Sequence, residues 1–378
     1  MEERKFLFLY LNTGAGHISA AKVLKQAIEK YEPNSEVKMC VGIKKHGLAH
    51  IILEKGYNFS CNYLKGSFAL IYELGRVRFF NSLVKVLLKP VIKGYLKKLV
   101  LKERPTDIIS FHFVLTPFLK EIVQKLPFEV QLKTIVTDPF TTPKSWFYER
   151  TLTYYVFSQQ AKDFAIEKCG IPEKKVTVVP FLMNSESFRP VSPEKIKELK
   201  IKHGFNPQKR MVLLVGGGEG LPGATQIINE CVVAHHEDYE VAVICGRDKL
   251  KYENMRLLSI VYKRLHPYGF VNFLDELVKI CDCAVIKAGP ATLMEIISCR
   301  KPVIICKYLH NQELGNMHFA IDNKVGYFIQ KPKEIYKKID ELLLDLDFDK
   351  KMKQRFDNIC IDTDASKIVK LLFQKQSV

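Results

Sequence analysis

Several things are scarce in this chain. It has a single tryptophan in 378 residues. Its ten cysteines include no C-x-x-C pair; the closest two, Cys281 and Cys283, are separated by one residue, and no histidine stands at ligand spacing from them. A structural zinc site needs paired ligands of that kind, so no metal is expected and the cysteines read as small buried hydrophobes in a reducing compartment. No apolar run approaches the ~18 residues needed to cross a bilayer. The opening run, residues 6–11, is too short for a signal-peptide core, and a cytoplasmic location is expected. Acidic residues are also few: 41 against 58 Lys and Arg, a formal net charge of +17.

That charge implies an anionic partner or surface and says nothing about fold. It is concentrated. Between Lys44 and Arg104 thirteen Lys and Arg face three acidic residues, so about a sixth of the chain carries more than half of the excess. No RNP-like aromatic motif or other nucleic-acid module accompanies it, so nucleic acid is not the expected partner.

Short apolar runs alternate with amphipathic helical patterns almost throughout. Strands are expected at 6–11, 36–41, 107–111, 132–137, 154–157 and 175–179. A second series follows at 211–215, 240–245, 266–271, 283–286 and 302–306. Helical patterns between them include 20–30, 116–124 and 223–234. Near-continuous apolar strands alternating with helices predict parallel sheets covered on both faces. The pattern pauses once, at FLMNSESFRPVSP (181–193), which reads as a linker. An N-terminal domain of residues 1–186 and a C-terminal domain of 187–359 are therefore expected, both Rossmann-like and doubly wound.

Three βα junctions carry candidate chemistry. The first strand opens into NTGAGHISAA. Gly14-Ala15-Gly16 begins a dinucleotide fingerprint, but Ser19 replaces the third glycine and the second strand does not end in an acid, which speaks against NAD. Gly216-Gly217-Gly218-Glu219-Gly220 follows the strand at 211–215, where glycines let backbone N–H groups approach a phosphate at a helix start. The third junction is KAGPATLMEI (287–296). Thr292 and Glu295 there form either a capping box or a phosphate contact with a carboxylate placed for the two hydroxyls of a ribose. After the strand at 302–306, Gln312, Glu313 and Asn316 gather amide and carboxylate groups suited to a polyhydroxylated ligand, or to solvent.

In this order GAGH, GGGEG, CGRD (245–248), KAGPATLMEI and QELGN (312–316) resemble one family. It comprises the monogalactosyldiacylglycerol synthases, the bacterial diacylglycerol glucosyltransferases and the related peptidoglycan N-acetylglucosaminyltransferase. The resemblance covers roughly residues 6–330 and implies a GT-B fold, two Rossmann-like domains facing each other across a cleft, a fold in which a helix near 360–378 is expected to return to the first domain. It also implies inverting transfer from a UDP-sugar without a metal or other cofactor. By motif position Glu295 would hold the uridine ribose, and Gly16, Gly217, Gly218, Gly289 and Thr292 would lie by the diphosphate. Gln312, Glu313 and Asn316 would face the sugar, and Arg247, Phe270 and Val271 the nucleotide. His17 would be the general base, a role that suits an imidazole near neutral pH. Two departures stand out. The turn reads Lys287-Ala288-Gly289-Pro290 where the family often has K-P-G-G, and no His follows Thr137-Asp138, although Asp138 and Trp146 are present. Asp138 is a second catalytic candidate, to orient the acceptor or His17.

Residues 78–102 supply a possible membrane face. Phe80, Leu83, Val84, Leu87, Leu88, Val91, Tyr95 and Leu99 recur at helical spacing, with Pro90 and Gly94 expected to kink or break the helix. Lys85, Lys89, Lys93 and Lys97 recur every fourth residue and form one basic stripe. Phe59, Tyr63, Phe68 and Tyr72 add aromatics upstream. A basic, apolar helix of this kind lies on anionic lipid, or else packs on a core with a solvated face. The expectation is an enzyme peripheral on the inner face of the cytoplasmic membrane, moving a hexose, galactose before glucose, onto diacylglycerol. Three alternatives remain open: an N-acetylglucosaminyltransferase acting on a lipid-linked peptidoglycan precursor, a UDP-sugar 2-epimerase, and a lipid-binding protein without activity.

Overall fold

The computed structural model describes residues 4–50, 78–234, 239–309, 312–345 and 347–374. It divides into two compact units. One comprises Met1–Met183, the short segment His310–Gln312 and Asp362–Val378; the other comprises Asn184–Leu309 and Glu313–Ile361.

The first unit is a six-stranded parallel sheet of β1 (Lys5–Tyr10), β2 (Glu36–Val41), β3 (Asp107–Ser110), β4 (Gln131–Ile135), β5 (Thr153–Val156) and β6 (Val176–Val178). The strand order is β2-β1-β3-β4-β5-β6. Successive side chains of β1 point to opposite faces and enter two separate cores. Phe6 and Phe8 join Ala20, Leu24 and Ile28 of the helix Ala15–Tyr31. Leu7 and Leu9 join Ile92, Leu96 and Val100 of the helix Arg78–Glu103 and Phe118 and Leu119 of the helix Thr116–Val123. The first core is closed by Ile368, Val369 and Leu372 from the last helix, Ala365–Phe373. Arg4 anchors that helix by donating from Nη1 to the Leu372 carbonyl at 2.6 Å, and Phe373 packs on Phe6 with ring centroids 5.6 Å apart.

The second unit repeats the plan with β7 (Arg210–Val215), β8 (Tyr239–Ile244), β9 (Leu265–Tyr268), β10 (Cys283–Lys287), β11 (Val303–Lys307) and β12 (Gly326–Phe328), in the order β12-β11-β10-β7-β8-β9. All eleven anticipated strands form. The twelfth, β12, was not anticipated: three residues beginning with glycine carry no periodicity, and it forms by pairing on the edge of β11. Strand β9 ends at Tyr268, so Phe270 and Val271 lie beyond it, not within a strand reaching 271.

In each sheet the order reverses beside its first strand, between β1 and β3 and between β7 and β10. Doubly wound sheets bind ligands outside the carboxyl ends of the strands at such a switch point. The glycine-bearing junctions of the sequence emerge there.

Two expectations about the basic segment need correction. The helix Arg78–Glu103 runs unbroken through Pro90 and Gly94, so of the expected kink or break the break does not occur. Proline removes one N–H from the ladder, but burial of Ile92, Leu96 and Val100, each 0–1% exposed, is worth roughly 1.5–3 kcal/mol per side chain and exceeds that loss. The buried stripe is therefore Ile92, Leu96 and Val100, whereas Val91 is 41% exposed. The Lys85 side chain lies outside the described residues, as do Phe59, Tyr63, Phe68 and Tyr72, and the side chains of Phe80, Leu83, Val84, Leu87 and Leu88. Among the described residues no helix is long and apolar enough to cross a membrane.

Candidate active site

The switch point of the first unit is occupied by rings. Gly14, in extended conformation, is the N-cap of the helix Ala15–Tyr31, so Gly16 and His17 sit in its first turn and not in an open loop. The His17 Nδ1 lies 2.7 Å from Thr137 Oγ1, just past β4. Burial pushes His17 down to about 4, partly offset by a hydrogen bond with the Phe111 backbone. Its imidazole packs on that of His112, beyond the end of β3, with centroids 4.8 Å apart, and Trp146 stands 6.3 Å from His17.

His112 is buried and its tautomer can be read from its partners. The Val114 N–H donates to Nδ1 at 3.3 Å, so in the neutral ring the proton is on Nε2, which meets Thr13 Oγ1 at 3.1 Å. Burial and the neighbouring His17 hold it well below the ordinary histidine range. Asp138, 4% exposed, accepts the Trp146 indole N–H on Oδ2 at 2.7 Å. The Gln312 amide, grouped with this unit, donates to Asp138 Oδ1 at 3.1 Å. Thr13, His112 and Thr137 were missed in the sequence. Only an isolated His two residues past an apolar strand hinted at the second imidazole.

At the switch point of the second unit, the glycine loop after β7 is wound tightly. Gly220 has φ +73° and a Cβ there would lie 2.7 Å from the Cys245 carbonyl oxygen, so only glycine fits. The loop packs on the β8 turn, where the Arg247 N–H donates to the Gly218 carbonyl at 2.9 Å. The Arg247 guanidinium stacks over Phe270 at 5.0 Å and reaches toward Glu219 at 3.8 Å. Gly217, Gly218, Arg247 and Phe270 are thus brought together, with Val271 next in the chain and half-buried.

The turn after β10 is a second cradle. Gly289 is the N-cap of the helix Pro290–Ser298, with no side-chain cap and no acidic residue in the first turn. Thr292 is therefore the third helical residue, not a cap, and the capping-box reading is overturned. The uncapped N–H groups and the helix dipole favour an anion here. Glu295, on the next turn, is pushed up to about 7 by burial, with the Asp275 carboxylate adding to it.

Glu313 and Asn316 brace that cradle. Glu313, 4% exposed, accepts from Lys287 Nζ at 2.7 Å and from the Leu309 N–H at 2.7 Å. Asn316 Nδ2 donates to the Ala288 carbonyl at 2.9 Å. Both side chains fix Lys287-Ala288-Gly289, which gives Lys287 a place in the site that its sequence position did not announce. Among the described residues no group of three or more His, Cys, Asp or Glu could hold a metal ion. Burial pushes the Cys281 thiol up to about 12 and Cys283 well above its usual value, so neither reacts as a thiolate at neutral pH.

Comparison with known proteins matches residues 17–179 to the monogalactosyldiacylglycerol (MGDG) synthase family and residues 195–358 to glycosyl transferases group 1. The chain is 28% identical to a probable chloroplastic monogalactosyldiacylglycerol synthase of Nicotiana tabacum, over 88% of its own length and 63% of the tobacco protein. It is 27% identical to a processive diacylglycerol beta-glucosyltransferase of Bacillus licheniformis, over 94% and 90% respectively. It thus spans less than two thirds of the plant relative and nearly all of the bacterial one. In three dimensions it is similar to a sucrose-phosphate synthase from Thermosynechococcus elongatus, with a TM-score of 0.61, 12% identity and 98% of each chain covered. The architecture is the GT-B fold.

Proposed function

We propose that this chain, which matches the monogalactosyldiacylglycerol synthase family in its N-terminal half and glycosyl transferases group 1 in its C-terminal half, is a glycosyltransferase that transfers a hexose from a UDP-sugar to diacylglycerol. Galactose is favoured before glucose. The observation that carries this reading is the pairing of those two domains in a chain that follows the bacterial diacylglycerol glucosyltransferase over 94% of its own length.

In the proposed reaction the free hydroxyl of diacylglycerol attacks the anomeric carbon. The new C–O bond forms as the bond from that carbon to the diphosphate oxygen breaks, and UDP leaves with the electron pair. Attack opposite the leaving group inverts the configuration and gives a β-glycoside. The hydroxyl proton passes to His17, which burial keeps neutral and so able to accept it. No metal is required in this scheme: the uncapped start of the helix Pro290–Ser298 and the Gly216–Gly218 backbone would meet the charge on UDP. Glu295 would take the ribose hydroxyls, Arg247 and Phe270 would flank the base, and Gln312 would reach the sugar. Asp138 would set Trp146 beside the acceptor. The lysines of the helix Arg78–Glu103 would hold the enzyme against anionic lipid on the cytoplasmic face of the membrane.

The test is UDP release by the purified protein with UDP-galactose, UDP-glucose or UDP-N-acetylglucosamine over anionic vesicles, with and without diacylglycerol. Lipid-dependent release with one hexose, lost at least 100-fold in His17→Ala, is the expected result. Release with UDP-N-acetylglucosamine alone, or without lipid acceptor, would reject it.

A further inference from the structure

The first unit holds two imidazoles where the proposed chemistry uses one. His112 is 5% exposed, makes hydrogen bonds on both nitrogens, and lies against His17. A buried histidine that only filled space would leave its polar atoms to be satisfied at a cost, and phenylalanine would serve that site better. Here each polar atom does something specific. The Val114 N–H fixes the tautomer, and the tautomer directs Nε2–H at Thr13. Thr13 belongs to the turn that leads, through Gly14, into the helix bearing His17.

The loop carrying His112 is itself stitched. Ser110 Oγ donates to the His112 carbonyl at 3.0 Å, and Thr116 Oγ1 donates to Ser110 Oγ at 3.3 Å. His112 is therefore a rigid peg between the end of β3 and the NTGAGH turn. Its ring lies on His17, and His17, His112 and Trp146 pack mutually, the His112–Trp146 centroids being 6.4 Å apart. Phe113 closes the group, 4.8 Å from His112 and 5.5 Å from Trp146. The groups facing His17 from these elements are His112, Trp146, the Phe111 backbone that hydrogen-bonds it and the neutral Thr137 hydroxyl, and the Asp138 carboxylate is turned to the indole N–H.

We propose that His112 is a positioning residue for the glycosyl transfer: it packs at a tilt against one side of the His17 imidazole, keeping water from that side, and through Thr13 locks the turn that aims it. This rests on the reading of His17 as the base. Burial and the neighbouring His17 hold His112 low, so His112 stays neutral beside the base and the two rings titrate as a coupled pair. A base held by a hydroxyl and a second neutral ring stays unprotonated well below neutral pH, unlike one paired with a carboxylate.

Two variants separate covering from aiming. His112→Gln removes the ring but keeps a group able to reach Thr13; His112→Phe keeps a ring but loses both hydrogen bonds. Folding of each is checked by fluorescence of the buried Trp146. The His17 titration is followed by NMR of histidine-labelled protein without substrate, its signal assigned from His17→Gln. In His112→Gln the His17 midpoint should rise from about 4 by at least one pH unit, tenfold in proton affinity. In His112→Phe it should stay low, while the rate of UDP release at saturating donor falls about tenfold or more from misaiming. An unchanged titration in His112→Gln together with an unchanged rate in His112→Phe would overturn the proposal and leave His112 as packing. Should His17→Ala release UDP at the wild-type rate, the base assignment fails instead, and the titration arm still reports on the pair.

Discussion

At neutral pH the Glu295 carboxyl group stands near the midpoint of its own titration, because burial and Asp275 push it up to about 7. Two consequences run in opposite directions. The folded state binds more protons than the unfolded state between the ordinary glutamate value and about 7, so stability is full below that window and is lost as pH rises through it. Glu295→Gln should therefore be more stable than the wild type at pH 8, by on the order of 2 kcal/mol, and equal to it near pH 4. Chemical denaturation at both pH values decides this. Donor binding should behave the other way. A ribose donates both hydroxyls best to an ionised carboxylate, so KM for the UDP-sugar should fall as pH rises from 6 to 8. In Glu295→Gln it should be higher and flat, and a wild-type KM flat over that range would separate Glu295 from the ribose. A sequence shows that a Glu lies one turn beyond a Gly-Pro turn. It does not show the desolvation that moves its titration, nor that Asn316 and Glu313 look inward at Ala288 and Lys287.

Among elements, the helix Arg78–Glu103 shows what periodicity leaves undecided. Its apolar residues fall on more than one side, and only contact with β1 selects Ile92, Leu96 and Val100 as the buried stripe. The basic stripe is likewise modified by a neighbour. Glu121, on the helix Thr116–Val123, accepts from Lys89 at 2.9 Å and from Lys93 at 2.6 Å, and the two ammonium groups hold its carboxyl below the usual range. Partly exposed pairs of this kind contribute about 0–1 kcal/mol to stability. Their larger effect falls on surface charge. Glu121→Gln should barely change stability yet strengthen binding to anionic vesicles several-fold, since one more uncompensated positive charge near such a surface is worth about 1 kcal/mol. Co-sedimentation with anionic and neutral vesicles tests it. Equal affinity of wild type and variant would mean that this face does not meet the lipid. The long crossover from β2 to β3 that carries this helix was legible as charge and aromatic content, whereas the Glu121 partnership, 28 residues beyond Lys93, was not.

At the scale of the whole molecule, the same physical signal made both units readable: continuous apolar strands alternating with helices, with glycine at the junctions after β1, β7 and β10, twice in succession. What local pattern could not supply was closure. The first core is completed by residues nearly the whole chain away from β1, because Ile368, Val369 and Leu372 cover Phe6 and Phe8. The apolar face of the helix Ala365–Phe373 shows only that something must cover it. Which sheet does so is decided by the Arg4–Leu372 hydrogen bond and by Phe373 against Phe6. Leu372→Ala should therefore destabilise the first unit selectively. Truncating a fully buried leucine costs about 2–5 kcal/mol, and for a unit of roughly 200 residues each kcal/mol lowers Tm by about 2–4 °C. The scarcity of tryptophan makes this measurable, since Trp146, 1% exposed, belongs to the first unit. Its fluorescence reports the unfolding of that unit alone, whereas far-UV circular dichroism reports both. The variant should lower the fluorescence midpoint by roughly 5–15 °C and leave in the dichroism a later phase at the wild-type temperature. If both signals shift together by the same amount, the two units unfold as one cooperative body and the last helix stabilises more than the core it covers.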